Sequence, residues 1–194
     1  MTPIRAFAIL TALFGFCLAA APAARAAGAA PEKAALCSAC HGEKGTPIAP
    51  NIPVIWGQNE GYIYLQLRDF KLGNRKNPMM SPVAEQLEKQ DMKDLAAWFA
   101  SQSWPSLNQK APPPEVAKQA ETAINAAVCQ SCHLANWEGA STAPRVGGQQ
   151  AEYLKSTMTA FRDGQRTNNP WMAALLKTYS DSDIDAMARY LAAK

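Results

Sequence analysis

Two pentapeptides hold the residues that could do chemistry: Cys37-Ser38-Ala39-Cys40-His41 and Cys129-Gln130-Ser131-Cys132-His133. On one helical turn, cysteines at i and i+3 lie on the same side. Two sulfurs so placed can add to the two vinyl groups of one porphyrin, and the following histidine can reach the iron as proximal ligand. The chain has two histidines, and both stand in these motifs. Other uses of Cys-x-x-Cys fit less well. The two pairs lie 92 residues apart, whereas the halves of one zinc site usually close over about 12–20 residues. Structural disulfides would not require a histidine after each pair, and a thioredoxin-like motif needs a βαβ setting that is missing here. The expected cofactors are two covalently bound haem c groups. Cys37, Cys40, Cys129 and Cys132 are the expected tethers, and His41 and His133 the expected iron ligands.

An iron held by histidine on one face needs a second axial group, and methionine raises the reduction potential. Of the seven methionines, Met1 leaves with the signal segment described below. Met92, Met158 and Met187 fall on apolar helical stripes and read as core. Met79, Met80 and Met172 remain. Met172 lies 39 residues after His133, and Met80 lies 39 after His41. That shared offset selects Met80 and Met172, with Met79, one residue away and opposite Trp171, as the competing choice. For the imidazole N–H that faces away from iron, the backbone carbonyls of Pro53 and Pro144 are candidate acceptors. Arg75 and Arg166 either pair with haem propionates or stand as solvated charges at a helix end.

The offsets belong to an internal duplication. Pro53-Val-Ile-Trp-Gly-Gln58 matches Pro144-Arg-Val-Gly-Gly-Gln149, and Asn77-Pro78-Met79-Met80 matches Asn169-Pro170-Trp171-Met172. Tyr62, Leu67, Phe70, Gly73 and Arg75 match Tyr153, Met158, Phe161, Gly164 and Arg166. Each copy predicts an all-α unit of a few helices joined by long loops. A first helix carries the cysteines at its end, over Pro31 to Cys40 and about Glu115 to Cys132. A middle helix buries Ile63, Leu67 and Phe70, or Leu154, Met158 and Phe161. A last helix buries Met92, Leu95, Ala96 and Phe99, or Ile184, Met187, Ala188 and Leu191. The Asn-Pro-x-Met segments read as loops. The Pro-rich stretch from Ser103 to Glu115 resists helix and favours an extended link. The expected domains are residues 27–109 and 110–194.

Residues 1–26 read as a secretory signal, with Arg5, an apolar run from Ala6 to Ala20, and Ala24-Arg25-Ala26 for cleavage. The run is short for a membrane span. Cys17 leaves with it, so four cysteines remain, all committed to haem, and no disulfide is expected. A periplasmic location follows. The whole chain has 19 basic and 16 acidic residues. Losing Arg5 and Arg25 leaves 17 against 16, without a basic block, which argues against nucleic acid as a partner.

With these motifs the chain resembles the cytochrome c4 family of dihaem class I c-type cytochromes. The resemblance rests on the paired Cys-x-x-Cys-His, the Pro-x-[Ile/Val]-x-Gly-Gln segments, the Tyr-containing helix before Gly-x-Arg, the Asn-Pro-x-Met segments and the closing helices. It implies two tandem cytochrome c domains with His–Met iron and haems packed to exchange electrons. It also implies a carrier, expected as a monomer, working between a quinol-oxidising complex or dehydrogenase and a terminal oxidase or reductase. Redox proteins, including membrane complexes as docking partners, are the expected partners. The alternative is a dihaem subunit of a sulfur-oxidising enzyme of the flavocytochrome c or thiosulfate dehydrogenase type. A dihaem peroxidase would need one iron that opens a coordination position, and both halves offer methionine. One departure stands out: Gly42 follows the first motif, but Leu134 follows the second, in a run that contains Trp137. Trp137 reads as a loop anchor in preference to a docking contact.

Overall fold

The computed structural model describes residues 30–194. The signal segment 1–26 and Cys17 lie outside them. The described residues form helices and one isolated bridge, between Ala140 and Ala143, with no strand. The first copy contains α1 (Ala34–His41), α2 (Glu60–Lys71), α3 (Met80–Glu85) and α4 (Lys89–Ala100). The second contains α5 (Pro114–Ala126), α6 (Gln130–His133), α7 (Ala151–Arg162), α8 (Pro170–Leu176) and α9 (Asp181–Ala192). None of these helices is long and apolar enough to cross a membrane.

Each copy builds its own apolar cluster. Ile63, Leu67 and Phe70 face inward from α2, and in the first copy Ile63 and Leu67 meet Met92, Leu95, Ala96 and Phe99 of α4. In the second, Leu154, Met158 and Phe161 of α7 meet Ile184, Met187, Ala188 and Leu191 of α9, and α5 adds Ala120, Ala123 and Ile124. The 3.6-residue stripes read from the sequence are therefore the buried faces. Asp91 and Asp183, which the duplication pairs, occupy the third position of α4 and α9. Each closes a capping box there, with Glu88 and with Ser180. The stretch 103–113 forms no helix. Gln109 pins it down by donating to the carbonyls of Gln149 and Ala192 and accepting from Ala151 N–H.

Two expectations need correction. The Asn-Pro-x-Met segments lead into short helices, α3 and α8, where loops were expected. Asn77 Oδ1 accepts from the backbone N–H of Met79 and of Met80, each at 2.9 Å, and Asn169 Oδ1 accepts from that of Met172 at 3.2 Å. In α8 Asn169 is the cap and Pro170 the first helical residue, a helix-start signal; Asn77 and Pro78 stand just before α3, whose cap position is Met79. The second correction concerns the helix expected from Glu115 to Cys132, which stops at Ala126 and restarts at Gln130. Val128 between them has φ +48°. Neither glycine nor proline marks this break. A β-branched residue in the left-handed region costs on the order of 1–3 kcal/mol, and the turn re-aims Cys132 and His133.

The copies also exchange a tryptophan. Trp56 packs over Gly45, where a Cβ would come within 2.8 Å of its ring. In the second copy the residue aligned with Gly45 is Trp137, and the one aligned with Trp56 is Gly147, where a Cβ would lie 2.9 Å from Trp137 Cβ. One indole thus fills the equivalent contact from opposite sides. Trp137 is 6% exposed and belongs to the core, so it anchors its loop and is closed to partners.

Ile184 is fully buried at the centre of the second cluster. Ile184→Ala should cost about 2–5 kcal/mol in urea unfolding. Hydrogen bonds from Ser180 and then Gln119 hold the Asp183 carboxyl below its usual range. A carboxyl with a depressed folded-state pKa stabilises above its unfolded pKa of about 3.9 and loses that contribution as pH falls through the folded value. Stability should therefore drop on acidification below about pH 4, and Asp183→Asn should flatten part of that drop in unfolding curves at stepped pH.

Candidate functional site

Each histidine ends a helix whose last turn carries the second cysteine of its pair. His41 closes α1 and His133 closes α6, and both are buried. His41 Nδ1 lies 2.7 Å from the Pro53 carbonyl, and His133 Nδ1 lies 2.8 Å from the Pro144 carbonyl. A carbonyl only accepts, so Nδ1 carries the proton and Nε2 keeps a free lone pair. Burial lowers both imidazole pKa values, although the carbonyl bonds oppose this. Neutral imidazole with a bare Nε2 is the form that binds a metal.

Cys37, Cys40, Cys129 and Cys132 are unpaired with one another. Burial, then the neighbouring Cys40, pushes the Cys37 thiol up to about 11, and burial raises Cys129 as well. Redox-active and metal-binding cysteines show the opposite shift. No group of three or more His, Cys, Asp or Glu side chains converges among the described residues.

Cys37 and Met80 pack against the first apolar cluster, and Cys129 and Met172 against the second. Met80 and Met172 are half-buried, whereas Met79 is 71% exposed and its counterpart Trp171 is 82% exposed. Met92, Met158 and Met187 are buried among apolar side chains, as their stripe positions implied. Both pentapeptides have further apolar residues beside them in the open: Leu36 and Ile48 in the first half, Val128 and Leu134 in the second.

The arginines do not stand in solvent. Arg166 is buried and Arg75 half-buried, and both reach across to the opposite half. Arg75 donates to Gln66 Oε1 at 3.0 Å and to the Tyr153 hydroxyl at 3.1 Å. Arg166 donates to the same Gln66 oxygen at 2.8 Å and to the Tyr62 hydroxyl at 3.4 Å. Each guanidinium also covers a ring of its own half, Phe70 or Phe161. Among the described residues neither has a carboxylate partner: Asp69, the nearby acid, is held by Arg68 and Asn168. Burial pushes the Tyr153 phenol up, but Arg75 and Arg166 outweigh it and the net shift is downward. Two guanidiniums without anions in a buried seam suit carboxylates supplied from outside the chain.

The sequence reading missed what Gln58 and Gln149 do. Gly57 and Gly148, at φ +69° and +73°, turn the backbone so tightly that their N–H groups reach the ends of α4 and α9, at Phe99 O and Leu191 O. The glutamine that follows is thrown across the seam. Gln58 pairs with both backbone groups of Arg145, at 2.7 and 3.0 Å, and Gln149 with both of Val54, at 2.8 and 3.0 Å. The repeated Gly-Gln was the available signal, but a repeat alone does not say which half its side chain serves.

A haem fits each half on three grounds: an imidazole with its outer nitrogen free, a Cys and a half-buried Met on one apolar cluster, and buried cations short of anions. Residues 26–103 match the family model for cytochrome c, and residues 116–191 match that for cytochrome c oxidase, cbb3-type, subunit III. Cytochrome c4 of Azotobacter vinelandii is 37% identical over 192 residues, covering 88% of this chain and 90% of that protein. The thiosulfate dehydrogenase electron acceptor of Thiomonas intermedia is 35% identical over 208 residues, covering 100% of this chain and 92% of its own. The crystal structure of reduced recombinant cytochrome c4 from Pseudomonas stutzeri superposes with a TM-score of 0.74 at 34% identity, over 82% of this chain and 94% of that one. The chain belongs to the cytochrome c4 family, as an all-α dihaem electron carrier of two cytochrome c domains with two covalently bound haem c groups, and not as an enzyme.

Proposed function

We propose that this protein is a periplasmic carrier, monomeric, that takes electrons from a quinol-oxidising complex or a dehydrogenase and delivers them to a terminal oxidase or reductase. Its domains are residues 27–109 and 110–194. Cys37 and Cys40 tether one haem and Cys129 and Cys132 the other. His41 with Met80, and His133 with Met172, would hold the two irons. The observation that carries this reading occurs twice: a buried, carbonyl-anchored imidazole stands in a pentapeptide whose first cysteine packs on the same apolar cluster as a half-buried methionine.

Haem c supplies a one-electron iron couple. The residues of this chain do the rest. The Pro53 and Pro144 carbonyls hold each imidazole in one tautomer and one orientation, so little reorganisation accompanies a change of iron charge. Met80 and Met172 would each supply the second iron ligand of their half, and a thioether there would favour the reduced state. Arg75 and Arg166 offer buried positive charge to propionates at the seam between the halves. Met79 and Trp171, exposed beside their half-buried neighbours, provide apolar surface for short-lived docking.

Similarity to a thiosulfate dehydrogenase electron acceptor supports a second reading, in which the protein is a dihaem cytochrome subunit of a sulfur-oxidising enzyme of the flavocytochrome c or thiosulfate dehydrogenase type. Copurification from the native periplasm separates the two. A carrier runs alone, and a fixed subunit stays with its enzyme.

Met80→Ala and Met172→Ala should each remove about half of the sulfur-to-iron charge-transfer absorption and open one haem to carbon monoxide, while Met79→Ala should leave both properties unchanged. Loss in the Met79 variant with retention in the Met80 variant would reverse the assignment. Replacing Cys37, Cys40, Cys129 and Cys132 by alanine should give an apoprotein with reduced helical circular dichroism and no cooperative melt, because each half is small for an independent core. A native-like melt would contradict it.

A further inference from the structure

We propose that Gln149 and Gln58 are crossed positioning residues: each stands in one half and strengthens the hydrogen bond to the proximal imidazole of the other. The inference rests on the reading of His41 and His133 as iron ligands. The Pro53 carbonyl that accepts from His41 belongs to the same peptide unit as the Val54 N–H. That N–H donates to Gln149 Oε1 at 2.8 Å, and Gln149 Nε2 donates back to the Val54 carbonyl at 3.0 Å. Val54 is 1% exposed and Gln149 2%, so solvent does not compete. The other half repeats the arrangement. The Pro144 carbonyl accepts from His133, the Arg145 N–H donates to Gln58 Oε1 at 2.7 Å, and Gln58 Nε2 returns to the Arg145 carbonyl at 3.0 Å.

A peptide unit is delocalised, so a bond accepted at its oxygen and one donated from its nitrogen polarise it in the same sense. The glutamine oxygen makes the proline carbonyl a better acceptor. A better acceptor draws on the imidazole Nδ1–H and makes the outer nitrogen more electron-rich toward a metal. An electron-rich ligand stabilises the oxidised metal. Gln149 therefore holds the iron of the first half harder to reduce, and Gln58 does so for the second. Attachment of the halves does not depend on these amides alone. Asn59 Nδ2 crosses the seam to the carbonyls of Glu138 and Ala143 at 3.0 and 2.8 Å, and Arg75 and Arg166 cross it as well. Among the described residues, only the glutamines bond across the seam to the two peptides that carry an imidazole acceptor.

The test uses the holoprotein with Gln149→Leu or Gln58→Leu, followed by redox titration. Sequence-assigned amide NMR signals beside His41 and His133 report each haem separately. Gln149→Leu should shift the haem at Cys37 and Cys40 about three- to tenfold toward reduction, or about 30–60 mV for one electron. The other haem should follow only weakly. Gln58→Leu should show the reverse pattern. Gln149→Asn keeps an amide at the seam but falls one methylene short of Val54. It should shift the same haem the same way, and it serves if the leucine variant does not fold. Asn59→Ala, which loosens the seam without touching either peptide, should leave both potentials in place. The proposal fails if each variant shifts the haem of its own half, both haems equally or neither, or if Asn59→Ala reproduces the effect. Failure of the ligand reading looks different: the wild-type His41 and His133 ring signals would then show no haem-induced shift.

Discussion

A buried imidazole that must keep one nitrogen bare needs its other nitrogen tied to something that cannot give a proton back. The carbonyls of Pro53 and Pro144 meet that need at 2.7 and 2.8 Å. Proline contributes by having no N–H of its own, so that segment acts purely as acceptor toward the ring. Much else in the chain serves to keep those carbonyls still. Gly57 and Gly148 dock the segment on the last helix of its own half, and a glutamine from the opposite half holds the next residue at both its backbone groups.

The seam between the halves is rich in polar contacts. Buried polar groups are costly unless their partners are complete. Here Gln58, Gln149, Asn59 and Gln66 find theirs, while Arg75 and Arg166 have neutral partners only. Residual positive charge in a desolvated place is destabilising for the bare chain and favourable once anionic groups arrive. Anionic groups brought to that seam would offset the cost of the buried positive charge.

Duplication did not leave the copies equivalent. The indole that fills the contact beside the proline segment comes from Trp56 in one half and from Trp137 in the other, with glycine facing it each time. Packing volume is preserved while the surroundings differ, and the Trp56 indole N–H is buried without a partner among the described residues. The Gly42 position, at φ +89°, is taken in the second half by Leu134 at φ +61°, so the loop after that motif keeps its direction at a backbone cost.

The chemistry was legible in the amino-acid order because it depends on short spacing. Two cysteines and a histidine within five residues, repeated with a methionine at a fixed offset, need no tertiary information to be recognised. Apolar stripes gave the buried faces of α2, α4, α7 and α9 for the same reason: a helix repeats every 3.6 residues whatever surrounds it. The short helices at Met80 and Met172 were also within reach, since Asn-Pro is a local start signal. The break at Val128 was not, because no local preference asks valine for a positive φ. Nor could Arg75, Arg166, Gln58 and Gln149 be assigned from the sequence. Their partners in the opposite half lie 78 to 104 residues away, and contacts at that separation exist only after two cores have formed and met.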